Sequence, residues 1–400
     1  MMRIHMNKYN MLKNINAFII TLPVLWILTG LFTIHNGDKI LVTLTLLSLL
    51  LTLITYKFEV LKRNFKNKYL LILAVLFIYS TLGEIFHFET PIIFRSIATV
   101  LVLTLFIPYD LISPKRICIY SLIGSIISLS FVSYNIFVLN IERGSLDINP
   151  IPFSTYLCVL SALSLVCFFC TRDTKYKIIC LLSVILSFIA VMLTETRGTI
   201  LALIITLVLS AIYFIIKRSE NKKKSILLFI IISIFMVAIS FPVLKDRLYD
   251  KTAYEFSLVE KGNDSTSIGI RLSLWKAGLI IINNSPFSGT GNNFHNQIRT
   301  LEKDNLIYKN KRYDHYSHFH NQYIDIAVKW GVQSLFFLLL SLLIPLFTLN
   351  KEDDFTKISF YSLTSIFMIA GLTDPPLVNK QLFILFLTLL AMMYGKNKIK

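Results

Sequence analysis

Apolar stretches of near bilayer length occupy most of this 400-residue chain and limit what it can fold into. A helix that crosses the ~30 Å hydrocarbon layer of a membrane needs about 20 apolar residues. Charged residues make up only 16% of the chain, too few for a soluble domain of this length, so we predict an all-α integral membrane protein. About twelve stretches qualify, at residues 15–34, 39–56, 69–86, 93–109, 117–138, 152–170, 177–194, 199–216, 225–243, 321–348, 357–372 and 380–395.

Basic residues are distributed unevenly between the two sides of these spans. With the N-terminus placed inside, the short inside segments hold 23 Lys and Arg residues and the short outside loops hold 4. This asymmetry follows the positive-inside rule and predicts that both termini are cytoplasmic and that the long loop lies outside, which for the inner membrane of a bacterium is the periplasmic face. The net charge of +17 therefore reflects membrane orientation, and we expect membrane lipids but no nucleic acid as partners.

A polar segment, residues 244–319, interrupts the apolar pattern. It divides the chain into spans one to nine (1–243), a periplasmic loop or cap (244–319) and spans ten to twelve (320–400), which we treat as one integrated domain. Residues 268–282 within the loop are apolar but too few to span, so they predict an interfacial helix. Because four of the seven histidines and Arg271 lie in or beside the loop, we expect the chemistry there.

The five cysteines all lie in or at the edge of predicted spans, so we predict no disulfide framework in the exported loop. Cys167 and Cys170 are one helical turn apart at a cytoplasmic span end. Packing is the ordinary interpretation of such a pair, and redox chemistry or metal binding is the alternative.

Three arginines lie in or beside apolar segments, where a charged side chain requires an explanation. Arg197 stands between two spans at the outside edge, where it can snorkel to headgroups, pair with Glu195 or bind a phosphate. Arg271 lies four residues before Trp275, so the two side chains share a helix face. Arg271 either stacks on Trp275 at the membrane surface or forms a second phosphate contact. Arg95 lies within the fourth span; because arginine in hydrocarbon costs at least ~2.5–3.5 kcal/mol, we expect it to face the interior or a wet cavity, unless it snorkels.

Three histidines, His315, His318 and His320, cluster immediately before the tenth span, followed by Asn321. Histidine exchanges a proton near neutral pH, so it suits general-base catalysis on a sugar hydroxyl. The cluster can alternatively ligate zinc, or the histidines can be loop residues without a role.

Two other features receive structural interpretations. Asp374 lies in a tight outside turn, where we predict a capping role. Asp325 and Lys329 are spaced i,i+4 and predict an ion pair on one helix. The Gly289–Gly291 segment follows a proline and predicts a tight turn in preference to an anion-binding loop, since it lacks the Gly-Lys-Ser/Thr ending.

Several of these motifs occur in a recognisable order: Thr194–Gly198, Ser267 with Arg271 and Trp275, Ser285–Gly291, His318–Asn321, Gly331, and Gly371–Asp374. The order resembles the O-antigen ligase and polymerase superfamily of bacterial envelope glycosyltransferases, and the lipopolysaccharide O-antigen ligases most closely. The resemblance covers residues 193–374. Ser334 stands where the family usually has a second glycine after Gly331, a departure that bears on the choice between ligase and polymerase.

The resemblance implies a GT-C-like fold of about twelve transmembrane helices with a periplasmic helical cap. It implies a metal-independent enzyme without a cofactor, which transfers O-polysaccharide from undecaprenyl pyrophosphate to a sugar hydroxyl of lipid A-core. By matching positions, Arg197 and Arg271 bind the donor pyrophosphate, and His320 activates the acceptor hydroxyl. The supporting candidates are Asn321, which is expected to orient His320, together with His318, Trp275 and Arg95.

Two other functions stay open. A polymerase of the same superfamily would use a second lipid-linked repeat as acceptor. A transporter or flippase for lipid-linked sugar would need ionisable residues deep in several spans, and Arg95 is essentially the only one. We therefore favour the ligase over the polymerase, and both over the transporter.

Overall fold

The computed structural model describes residues 2–85, 91–141, 146–217, 222–310, 313, 316–348 and 354–396. These ranges form an all-α structure without a β-strand, as predicted. The helices are α1 Met2–Ile27, α2 Gly37–Tyr56, α3 Glu59–Asn64, α4 Tyr69–Ile85, α5 Pro91–Phe106, α6 Pro114–Ser133, α7 Pro150–Cys170, α8 Thr174–Thr194, α9 Arg197–Lys217, α10 Lys222–Val243, α11 Lys251–Glu260, α12 Ser267–Asn284, α13 Phe294–Lys303, α14 Gln322–Trp330, α15 Val332–Thr348, α16 Asp354–Ala370 and α17 Lys380–Lys396.

Five helical segments in the described ranges are long and apolar enough to cross a membrane: Gly37–Tyr56, Pro114–Val138, Pro150–Cys170, Thr174–Thr194 and Arg197–Lys217. Shorter apolar helices occur at Asn14–Ile27, Tyr69–Ile78, Phe94–Phe106, Phe229–Ala238 and Lys380–Gly395. This content supports a multi-pass membrane protein. The number of twelve spans stays a prediction, as does the three-part division of the chain.

The tenth predicted span is wrong as a single helix. Residues 321–348 form two helices, α14 and α15, which meet at Gly331. Gly331 has φ 83° and ψ 165°, a conformation that only glycine adopts readily, and a Cβ there would overlap the Phe287 carbonyl. The Val332 N–H donates to the Pro286 carbonyl oxygen at 2.8 Å, so the break is fixed against the loop that follows α12.

The glycine-rich segment before α13 also packs against α14. The Thr290 N–H donates to the Val328 carbonyl oxygen at 2.8 Å. Gly289 has φ 62°, and a Cβ there would overlap the Lys329 carbonyl. The predicted tight turn is therefore confirmed.

The core of the bundle surrounds α7, which packs against α6, α8, α9 and α16 and has most of its side chains buried. One of its polar side chains, Tyr156, bonds to the backbone of a neighbouring segment. The Tyr156 hydroxyl donates to the Leu28 carbonyl oxygen at 2.8 Å. In the interior, such bonds remove the cost of an unpaired polar group, so they fix how the helices pack.

The loop between α10 and α15 has a small core of its own. This core includes Ile270 and Leu274 of α12, Ile298 of α13, Val328 of α14, and Phe319 in the loop before α14. The helix predicted over residues 268–282 is confirmed as α12, capped by the Thr266 side chain, which accepts from the Gly269 N–H at 3.1 Å, while its interfacial position stays a prediction. This capping segment thus packs as a unit and carries Arg271 and the histidine loop together.

Candidate active site

A buried hydroxyl cluster fixes the start of α9, whose first residue is Arg197. The Thr196 hydroxyl donates to Ser154 of α7 at 2.7 Å and lies 2.9 Å from the Thr194 hydroxyl. It also contacts the hydroxyl of Thr199. All four side chains are buried, so the α8–α9 turn is held rigidly against α7 and sets the position of Arg197.

Glu255 of α11 is the ion-pair partner of Arg197. Its Oε1 lies 2.5 Å from an Arg197 terminal nitrogen, and both side chains are largely buried. Its Oε2 accepts from the Ile268 N–H at the start of α12, at 3.0 Å. The ion pair that the structure describes for Arg197 is thus with Glu255, and the alternative pairing with Glu195 stays a prediction. Glu255 connects the arginine to the helix that carries Arg271.

The guanidinium of Arg271 is partly buried and incompletely satisfied. One terminal nitrogen donates to the Ser267 hydroxyl at 2.8 Å. Its Nε is buried without a hydrogen-bond partner among the described residues. Burial lowers the pKa of this guanidinium, the charge of Asp374 opposes that effect, and the charge of Arg197 adds to it. These influences place Arg271 within electrostatic reach of both residues.

Trp275 lies one turn beyond Arg271 on α12 and presents a second unsatisfied donor. Its indole Nε1 is buried and has no hydrogen-bond partner in the described part of the chain. The cation–π contacts of the described residues do not include an Arg271–Trp275 stack. The surface-stack interpretation is thus unsupported, and α12 buries two N–H donors that nothing in the described fold accepts.

His320 forms a direct contact with Asp374. Its Nδ1 lies 2.8 Å from the Asp374 Oδ1, and the His320 and Asp374 side chains are 16% and 8% exposed. An ionised carboxylate only accepts, so the Nδ1–H of His320 donates and Nε2 is the free basic nitrogen. His320 has φ 51°, a left-handed conformation that costs roughly 1–3 kcal/mol at a residue other than glycine. The contact with Asp374 holds the ring in one orientation.

Two expectations about this region are corrected. Asp374 was predicted to cap a turn, but its carboxylate meets the His320 ring. Asn321 was expected to orient His320, but its side chain caps α14 by accepting from the Tyr323 N–H at 3.0 Å and donates to the Leu372 carbonyl oxygen at 3.1 Å. Asn321 therefore anchors the peptide that carries His320, and Asp374 orients the ring.

His318 packs edge-on against His320, with ring centroids 4.4 Å apart. Its Nδ1 accepts from the His320 N–H at 3.2 Å. Burial is the main cause that lowers the pKa of His318 to about 4, although nearby Asp374 opposes the shift. His318 is consequently neutral at physiological pH and stabilises the loop by accepting a hydrogen bond.

The predicted Asp325–Lys329 ion pair is confirmed at 3.0 Å. The pair also holds the histidine loop, because Asp325 accepts from the Phe319 N–H at 3.2 Å and Lys329 donates to the Ser317 carbonyl oxygen at 2.8 Å. Both charged side chains are mostly buried. The histidine loop is thus bound to α14 through the backbone of Ser317 and Phe319.

Backbone contacts bring the distant motifs together. A Cβ at Gly198 would overlap the Thr373 side chain, so the start of α9 lies directly against the turn after α16. The Gln322 N–H donates to the Gly371 carbonyl oxygen at 2.7 Å, which joins α14 to the same turn. The structure therefore brings Arg197, Arg271, His318, His320 and Asp374 to one end of the bundle.

Arg95 is not brought to this cluster. It is exposed on α5, a helix that packs mainly against α2, α4 and α17. The expectation that Arg95 faces the interior is therefore wrong, and the snorkelling alternative fits its exposure. His315, the third histidine of the predicted cluster, lies outside the described residues.

His318, His320 and Asp374 each offer one metal-ligand atom, and these atoms lie within 4.8 Å of one another. Metal ligands point at a common centre about 2.0–2.2 Å from each atom. Here His320 and Asp374 instead point at each other at hydrogen-bond distance, and the Nδ1 of His318 is already occupied by the backbone. The arrangement suits a histidine–carboxylate pair better than a metal centre.

Sequence reasoning missed Glu255 as part of the site. It lies on α11 in a stretch that mixes charged and apolar residues, and no spacing connects it to Arg197. Asp374 was predicted only to cap a turn, although it ends the Gly371–Asp374 motif. The available signals were that motif and its position at an outside edge, the same side as the predicted loop.

The helices and the site together define a multi-pass membrane protein with buried cations and an imidazole at one end of the bundle. Residues 182–339 match the family model described as "O-Antigen ligase", and this confirms the family resemblance. The matched segment includes Arg197, Glu255, Arg271 and His320, while Asp374 follows it. The family consists of glycosyltransferase-like ligases and polymerases, which supports an enzyme of that class.

A relative from Haemophilus influenzae strain Rd is 28% identical over 220 residues. It carries only the name "Uncharacterized protein". The aligned region covers 54% of this chain and 52% of the relative, so the chain spans about half the length of the protein it matches.

Proposed function

We propose that this protein is a lipopolysaccharide O-antigen ligase. In this proposal it transfers O-polysaccharide from undecaprenyl pyrophosphate to a hydroxyl of lipid A-core. The reaction takes place at the periplasmic face of the bacterial inner membrane and needs no metal. The family match supports the class of enzyme, and the site geometry supports the chemistry.

The observation that carries the proposal is the buried, unsatisfied Nε of Arg271 beside the His320–Asp374 pair. A buried donor without an acceptor costs roughly 1–3 kcal/mol, which a ligand that supplies the acceptor would recover. A guanidinium binds phosphate oxygens through two parallel N–H bonds. The donor pyrophosphate is a ligand of this kind, and Arg197 supplies a second cation nearby.

In the proposed reaction, His320 activates the acceptor and the two arginines stabilise the leaving group. The Nε2 of His320 takes the proton of the acceptor hydroxyl while the hydroxyl oxygen attacks the anomeric carbon of the donor glycan. The bond between that carbon and the pyrophosphate oxygen breaks, and the leaving group keeps the electron pair. Arg197 and Arg271 stabilise its increasing negative charge, and Asp374 stabilises the imidazolium until its proton leaves.

Glu255 has a positioning role in this proposal. Its carboxylate holds both Arg197 and the first turn of α12, so it sets the spacing between the two guanidinium groups. Its negative charge also compensates part of the buried positive charge while the donor is absent. When the pyrophosphate binds, its own negative charge balances the two arginines.

The orientation in the membrane rests on charge distribution. Basic residues are concentrated on the side opposite Arg197, which supports a cytoplasmic location for both termini and a periplasmic location for the site. Apolar spans around the site can accommodate the lipid part of the donor.

A polymerase would use the same groups with a second lipid-linked repeat as acceptor. Ser334 replaces the glycine expected in the family, and its hydroxyl donates to the Trp330 carbonyl oxygen at 3.0 Å, within the first turn of α15. A deletion strain separates the two functions on a lipopolysaccharide gel. Free lipid-linked long chains with bare core indicate a ligase, and core bearing single repeats indicates a polymerase.

The catalytic assignment is tested by complementing that strain with variants. We expect His320→Ala and Arg271→Gln to abolish glycan transfer. The matched controls are His35→Ala, in an exposed loop, and Lys276→Gln, on the exposed face of α12. Membrane fractionation confirms insertion of each variant. Wild-type transfer by His320→Ala would remove the general-base role, and full activity in Arg271→Gln would remove the pyrophosphate contact.

A further inference from the structure

A cavity lies between α7, α8, α9 and α10, away from the candidate active site. Its volume is about 330 Å³. It is lined almost entirely by apolar side chains, including Phe168, Phe188, Ile204, Phe214, Phe229 and Met236. Cavities of this size and apolar character are typical of ligand pockets.

The position of the cavity along the bundle follows from helix geometry. Arg197 begins α9, and the α9 lining runs from Ile204 to Ile215. At 1.5 Å per residue, the cavity starts roughly 10 Å from the arginine and extends to about 27 Å from it. It therefore extends toward the end of the bundle opposite the candidate active site.

One charged side chain, Lys177, lines this cavity. It belongs to the first turns of α8 and is half-buried, and its ammonium lies 5.9 Å from the centre of the Phe168 ring. Among the described residues, no carboxylate lies within ion-pair distance of Lys177. The lysine thus places an uncompensated positive charge at the edge of an apolar cavity.

The surrounding segments are strongly basic as well. Residues 171–177 and 217–224, which connect α7 to α8 and α9 to α10, together contain eight basic and two acidic residues. Lys217, at the end of α9, and Lys222, at the start of α10, are both exposed. An anion with an apolar part fits this combination, whereas a small hydrophilic anion would leave the apolar walls uncovered.

We propose that the cavity binds one anionic glycerophospholipid from the leaflet on the basic side of the membrane. An acyl chain occupies the space between α8, α9 and α10, and the headgroup phosphate meets Lys177. A basic pocket between transmembrane helices is a recognised environment for such headgroups. The site is separate from the glycan-transfer site, and its test does not depend on the donor or acceptor of that reaction.

The experiment compares purified full-length protein with two variants on the same turns of α8. Lys177→Gln removes the charge that lines the cavity, and Lys175→Gln removes an exposed charge that does not. After exchange into detergent, each protein is titrated with phosphatidylglycerol, and bound lipid is counted by native mass spectrometry. Phosphatidylcholine is the zwitterionic comparison.

We expect Lys177→Gln to weaken phosphatidylglycerol binding about fivefold, which corresponds to the ~1 kcal/mol that one lysine contributes near an anionic headgroup. Lys175→Gln should bind as the wild type does. Equal weakening in both variants would reduce the effect to general surface charge and overturn the proposal. Equal affinity of the wild type for phosphatidylcholine would do the same.

A second variant tests the cavity itself. Ser233 of α10 lines it, and Ser233→Phe fills part of the space while leaving Lys177 in place. We expect lost phosphatidylglycerol binding with an unchanged elution profile and unchanged helical content. Undiminished binding, or recovery of a polyprenyl phosphate from the wild-type cavity, would contradict the assignment. If Ser233→Phe elutes as an aggregate, the Lys177→Gln result alone decides.

Discussion

Replacing Asp374 by asparagine removes the charge that faces His320 and keeps the shape of the side chain. The amide oxygen can still accept the Nδ1–H, so the ring stays in its orientation at 2.8 Å. What disappears is the stabilisation of the imidazolium that forms when His320 takes the acceptor proton. Because both side chains are buried, water does not replace the lost charge.

The size of the effect follows from the kind of bond. A hydrogen bond to a charged group contributes about 1.5–3 kcal/mol, and each ~1.4 kcal/mol changes a rate tenfold. We therefore expect kcat for glycan transfer to fall by about 10- to 150-fold in Asp374→Asn. Asp374 also acts on the charge of Arg271, so part of the effect should appear as a raised KM for the lipid-linked donor.

The assay is transfer of a defined lipid-linked glycan to lipid A-core by purified protein, followed on a gel. Asp38→Asn is the matched control, because Asp38 is also a partly buried carboxylate in an ion pair, with Lys380 at 2.8 Å. The control should retain near wild-type kcat. A kcat in Asp374→Asn within threefold of wild type would refute the reasoning, as would equal slowing in the control.

Three more outcomes are expected. Gly331→Ala should lower the unfolding temperature in detergent more than Gly262→Ala does. Both glycines have positive φ, but only a Cβ at Gly331 would contact other atoms. Equal shifts in unfolding temperature would contradict this prediction. The pKa of His318 is lowered to about 4 in the folded protein, so between about pH 6.5 and 4 the unfolded chain binds more protons than the folded one. The free energy of unfolding should therefore fall by about 2 kcal/mol as the pH drops from neutral to 5. His318→Gln should flatten that dependence in thermal unfolding, and an unchanged slope would count against the assignment. Glycan transfer should persist in EDTA, while loss that zinc specifically restores would favour a metal site.

Local features of the chain were read well from sequence. The limits of α12 were predicted within two residues, because its apolar run, the preceding Thr266 and the following Pro286 are all adjacent in the chain. The i,i+4 pair of Asp325 and Lys329 was predicted for the same reason. The tenth span was wrong because hydropathy averages over Gly331, whose backbone conformation breaks the helix.

The sequence by itself determined that this is an all-α membrane protein and where most of its apolar helices lie. These properties depend on local composition and periodicity, which the bilayer imposes on each segment separately. Only the tertiary structure decided the partners within the site: Glu255 lies 58 residues from Arg197, and Asp374 lies 54 residues from His320. Such pairs form because packing brings buried charges together, and no spacing along the chain encodes that distance.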